Sequence, residues 1–141
     1  VSVTVVLDTE AVSLLTPQRR HDPGRRHLLA HLEGADNVIT PSVVRVEALV
    51  PRDARHADVN RLVRDAEDLP QLRRRASDTA DAAARARSSL DGEVEVVHAV
   101  VGATAAAAAV PGEAVEVLTS DMADLTAIIS ALEASVEVVV L

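Results

Sequence analysis

Val3-Thr4-Val5-Val6-Leu7, closed by Asp8-Thr9, is the stretch on which the fold turns. The apolar run is nearly continuous. It lacks the alternation of a strand exposed on one side, and so reads as a short strand covered on both faces. Asp8 and Thr9 end the run and open a helical stretch reaching about Leu15. A doubly covered strand followed at once by a helix is the beginning of a parallel α/β sheet.

The rest of the chain continues that alternation. Pro17, Pro23 and Gly24 punctuate residues 17–34, where a short helical pattern (His27, Leu28, Leu29, Leu32) stops at Gly34. Asn37 to Thr40 reads as a second strand. Thr40 is then expected to N-cap a helix over Ser42 to Val50, with Pro41 at its first position. Asp53 to Leu69 and Leu72 to Ser89 are Arg-rich helical patterns separated by Pro70, and Val94 to Val110 is an Ala-rich helix ended by Pro111-Gly112. Val115 to Thr119 is a strand, Asp121 to Leu132 a helix, and Val136 to Leu141 a last strand. The expectation is one domain over residues 1–141: a three-layer α/β/α fold around a central parallel sheet of about four to five strands, joined by right-handed crossovers.

Composition narrows the chemistry. The chain has no Phe, Tyr, Trp, Cys or Lys, and all 14 strongly basic side chains are Arg. This excludes disulfides, thiolate–metal sites, catalytic Cys or Lys, a Tyr acid and base stacking on protein aromatics. Carboxylate, hydroxyl, imidazole and guanidinium groups remain. Ala and Val supply 49 of 68 apolar residues, so the core must be built from small aliphatic side chains. No apolar run reaches the ~18 residues of a membrane span and no signal-type h-region opens the chain, so a cytoplasmic protein is expected. The net charge of -8 is unevenly spread: residues 91–141 hold nine carboxylates and no Arg. Two differently solvated faces would produce this, as would an acidic pocket rimmed by Arg, suited to a cation and a polyanion.

Four positions stand out. Asp8 follows the first strand and Asp121 follows Thr119-Ser120 after the third, at the carboxyl ends where parallel sheets form their ligand crevice. Glu47 falls on the apolar stripe of its helix beside Val43, Val46 and Val50, where a carboxylate needs a partner. His98 shares a face with Val94, Val101, Gly102 and Ala105. Each also has an ordinary reading. Asp8 can simply cap a helix, Asp121 and Asp124 can form a capping box, Glu47 can pair with an Arg, and His98 can be a satisfied core histidine. As a set, carboxylates converging from two strand ends and a helix call for a bound cation, and oxygen ligation suits Mg²⁺ or Mn²⁺.

In their order, Val5-Val6-Leu7-Asp8-Thr9, Thr40-Pro41-Ser42 with Glu47, Val96-Val97-His98-Ala99 leading into Ala103-Thr104-Ala105, and Leu118-Thr119-Ser120-Asp121 with Asp124-Leu125 resemble the motifs of PIN domains. The nearest group is the VapC-type toxins of bacterial toxin–antitoxin pairs. The resemblance spans nearly the whole chain and implies a metal-dependent endoribonuclease, usually a homodimer, held inactive by a cognate antitoxin protein. It makes Asp8, Glu47 and Asp121 the catalytic, metal-coordinating acids and Thr9, Thr119, Ser120 and Asp124 supporting groups. Contacts to RNA phosphate would fall to Arg19, Arg20, Arg25 and Arg26, with Arg52 and Arg55 as further candidates. His98 departs from the pattern, which places an Asp there. An imidazole removes one charge and one hard oxygen ligand, makes His98 a further candidate ligand, and shifts preference toward Mn²⁺. Glu95 can replace the missing acid only if the helix starts elsewhere.

Other readings remain. A catalytically impaired PIN-like module that binds RNA or a partner follows if His98 inactivates the site. A receiver-like phosphoacceptor domain would commonly need a Lys, which is absent. His21, His27, His31, His56 and His98 show no HExxH spacing, which disfavours a zinc hydrolase, although His27 and His31 are four apart.

Overall fold

The computed structural model describes residues 1–48 and 76–141. Asp53 to Leu69, Pro70, the start of the Leu72 to Ser89 pattern, Val50, Arg52, Arg55 and His56 lie outside the described residues. Four strands, β1 (Ser2–Leu7), β2 (Asn37–Ile39), β3 (Glu113–Thr119) and β4 (Glu137–Val140), form one sheet in the order β2-β1-β3-β4. Every pairing is parallel, and β1 runs beside β3 from Ser2↔Glu113 to Leu7↔Leu118. The fold is the expected α/β class, with helices on both faces.

Burial explains the apolar run that opens the chain. Val5, Val6 and Leu7 on β1 and Val117 and Leu118 on β3 are fully buried, because these central strands are covered on both sides. Helices α1 (Thr9–Leu14) and α2 (Pro23–Glu33) connect β1 to β2 on one face. After β2 come α3 (Ser42–Ala48), α4 (Ala76–Ser89) and α5 (Val96–Ala108), and α6 (Met122–Ala131) links β3 to β4. Helix α5 packs on β1 and β3, and α4, α5 and α6 share a second core of Ala83, Ala86, Val94, Ala99, Ala103 and Ile128. Small residues let these helices approach closely. A Cβ built at Gly102 on α5 would come within 2.5 Å of Ile128 Cγ2 on α6.

Two helix starts differ from expectation. Thr40 does not cap α3: its buried hydroxyl has no partner among the described residues, while the Pro41 carbonyl accepts from the N–H groups of Val44 and Arg45 at 2.9 and 3.4 Å. Pro41 thus takes the cap position itself, and its missing N–H costs the helix nothing. Helix α5 begins at Val96, two residues later than its apolar pattern. Val94 is buried in the loop against Ala83 and Ala86, and Glu95 takes the N-cap position.

Candidate carboxylate and imidazole site

The carboxyl ends of β1 and β3 set the site. Asp8 is the first residue past β1 and caps α1: its Oδ1 accepts the Thr9 N–H at 2.7 Å. Capping does not exhaust the carboxylate. Oδ2 accepts the Thr119 hydroxyl at 2.7 Å, in a side chain only 3% exposed. Thr119 Oγ1 in turn accepts the Asp121 N–H at 3.0 Å, so one hydroxyl ties the two strand ends together. Asp121 caps α6 by accepting the Asp124 N–H at 3.0 Å on Oδ1, which leaves Oδ2 turned toward His98 at 3.9 Å.

His98, one turn into α5, reaches the centre of this arrangement. Its Nδ1 is 2.8 Å from Asp124 Oδ2, and its Nε2 is 3.6 Å from Asp8 Oδ2. Glu95, at the N-cap of the same helix, adds a carboxylate 4.0 Å from Nδ1. The ring is 15% exposed. Burial alone would lower the imidazole pKa. The hydrogen bond to Asp124 and the charges of Asp8, Glu95 and Asp121 outweigh it, so the pKa lies above its ordinary value.

Charge balance defines what this site can hold. Among the described residues, Asp8, Glu95, Asp121 and Asp124 face a single imidazole, so the cluster holds more acidic than basic groups. One ligand atom from each of His98, Asp121 and Asp124 lies within 4.8 Å of the others, and among the described residues no other group of three does so. The Thr9 hydroxyl, beside Asp8, is buried with no hydrogen-bond partner among the described residues. Carboxylate oxygens with one imidazole nitrogen are a donor set that could hold a cation.

Asp8, His98, Thr119, Asp121 and Asp124 are thus brought together. Glu47 is not buried on an apolar stripe. Helix α3 turns Val44 inward, leaving Val46 and Glu47 exposed. Ser120 is exposed. Of the four predicted phosphate contacts, Arg19 is bound to Glu10 and Asp22, and Arg25 donates to the Leu14 and Thr16 carbonyls. Arg20 donates to His21 Nε2, and Arg26 is exposed. Sequence reading gave Glu95 only a conditional place near the site, although its i, i+3 spacing from His98 was the available signal.

No family model matches this chain, and no curated protein and no solved structure matches it. What the fold and site define together is a parallel α/β protein with an acidic, imidazole-bearing crevice at the strand ends. No helix among the described residues is long and apolar enough to cross a membrane.

Proposed function

We propose that the chain is a divalent-metal-dependent endoribonuclease of the PIN type, working in the cytoplasm as the toxin of a toxin–antitoxin pair. The observation that carries this reading is the convergence of Asp8, Asp121 and Asp124 on His98 at the ends of β1 and β3, where acidic groups outnumber basic ones among the described residues. Asp8, Asp121, Asp124 and His98 would hold the cation, which supplies charge neutralisation to a phosphodiester in its transition state. Thr119 holds Asp8 and Asp121 in fixed relation, and the caps on α1 and α6 fix both carboxylates against their helices. Exposed Arg20 and Arg26 are the available phosphate contacts on the α2 side. Glu47 stays a candidate ligand only through an exposed position. An RNA substrate, a cognate antitoxin and a homodimer belong to this reading too.

Calorimetric titration with Mn²⁺ and Mg²⁺, followed by RNA cleavage with the tighter ion, tests it. Cleavage that needs the metal and is lost in Asp8→Asn is expected; cleavage in chelator would overturn the reading.

One observation favours a second reading, an inactive PIN-like module that binds RNA or a partner. The His98 ring already faces Asp8 with one nitrogen and Asp124 with the other, as a cation would. In that case the wild-type chain binds RNA without cutting it.

A further inference from the structure

A second imidazole group lies on the opposite face of the sheet. Glu116 on β3 is the register partner of Val5, and three residues beyond Val5 the strand alternation turns Asp8 to the other side. Glu116 Oε2 is 2.7 Å from His31 Nδ1 on α2. One turn earlier on the same helix, the His27 ring stands 4.9 Å from that of His31, centroid to centroid, with the planes at 83°. Glu116 is also in register with Glu137 on β4, so two carboxylates rise from one face of adjacent strands.

The Glu116 contact does more than join two layers. A carboxylate at Nδ1 draws the ring proton there and leaves the Nε2 lone pair free, the arrangement that carboxylates impose on metal-ligating histidines. A second His at i, i+4 sets another imidazole on the same helical face. His27 is exposed, so its ring can turn without disturbing the core, whereas His31 is half-buried and held.

We propose that His27 and His31 form a bis-imidazole site for a borderline divalent cation such as Zn²⁺, with Glu116 as positioning residue and water completing the coordination. Nitrogen donors select Zn²⁺, Ni²⁺ or Cu²⁺ over Mg²⁺. This separates the site chemically from the carboxylate crevice, and it stands whether or not the crevice cleaves RNA.

The test is calorimetric titration of the chain with ZnCl₂ near neutral pH, alongside His27→Ala, Glu116→Gln and Asp8→Asn. His27→Ala is expected to remove one equivalent of bound Zn²⁺ or weaken it at least about tenfold, and Glu116→Gln to weaken the same equivalent about 10–100-fold. Asp8→Asn should leave that equivalent in place, and excess MgCl₂ should not displace it. Because His27 is exposed, its loss does not threaten folding, which circular dichroism verifies. Absence of Zn²⁺ binding, binding unchanged in His27→Ala, or binding abolished by Asp8→Asn each overturns the proposal.

Discussion

Arg19 and His98 are each surrounded by carboxylates, yet the two clusters do opposite things with their charge. Arg19 lies 2.7 Å from both Glu10 and Asp22, with all three side chains about one-third exposed (31%, 34% and 31%). Beside it, Arg25 donates to the Leu14 and Thr16 carbonyls, so this corner fastens α1 to α2. Water screens what charge remains, and exposed pairs of this kind contribute little. His98 sits deeper and faces four carboxylates, with no second basic group beside it among the described residues. Short contact distances are common to both clusters. Burial and leftover charge distinguish them, and these are what a ligand would use.

Breaking the crevice at its most buried member should have the largest effect. Asp8→Asn removes a carboxylate that two neutral donors hold in place, so the fold should survive while metal affinity and cleavage fall on the order of 100-fold or more. Titration and an RNA cleavage assay read both quantities; retention of both would assign Asp8 to capping alone. Gly102→Ala acts from one turn further along α5. Its new Cβ meets fully buried Ile128, so α5 must move away from α6, which carries Asp124. A loss of about 1–3 kcal/mol in denaturant unfolding is expected, together with weaker metal binding. Unchanged stability would show that the two helices are less tightly locked than their packing implies.

The fold was legible because periodicity is local. The run from Val3 to Leu7, the Pro111-Gly112 break and the Thr119-Asp121 strand end each report on a few neighbouring residues, and the sheet follows from their order. Glu47 was misplaced because α3 is short and its apolar positions do not define one stripe. Val43, Val44 and Val46 offer more than one stripe, and tertiary contact selected Val44. Thr40 is not the cap because α3 starts at Ser42, which puts Pro41 in the cap position with its carbonyl accepting the Val44 and Arg45 N–H groups. That Arg19 and Arg25 are occupied within the α1–α2 corner depends on where Glu10 and two carbonyls lie in space, which residue type does not encode. His98 was marked by its face, but its bridge between Asp8 and Asp124 spans 90 and 26 positions of sequence and becomes visible only after folding.

His98→Asp sharpens the contrast by pushing the crevice further from neutrality. Metal affinity should rise about tenfold or more, while the metal-free chain loses stability because a further carboxylate joins Asp8, Glu95, Asp121 and Asp124 without a cation. Unchanged affinity would mean that the imidazole already acts as a ligand; a gain in cleavage as well would favour the inactive-module reading for the wild type.

The two clusters should also respond to pH with opposite sign. In chelator, His98 stabilises the fold fully below its ordinary pKa of 6.5, and the contribution is lost as pH rises through the higher folded value. Asp22 is held below its ordinary 3.8 by the hydrogen bonds from Arg19 and the Gly24 N–H, so its contribution is present above 3.8 and lost as pH falls through the folded value. Thermal melts across pH should therefore show His98→Gln flattening the rising-pH limb and Arg19→Ala flattening only the acid limb. The Arg19 change is the smallest expected at neutral pH, because the guanidinium is partly solvated and screened. It should leave Mn²⁺ affinity untouched, since the acids it releases belong to α1 and the α2 cap rather than to the crevice. Weaker metal binding in Arg19→Ala would connect the two regions, and charge balance would then no longer separate a cluster that holds the fold from one that holds a ligand.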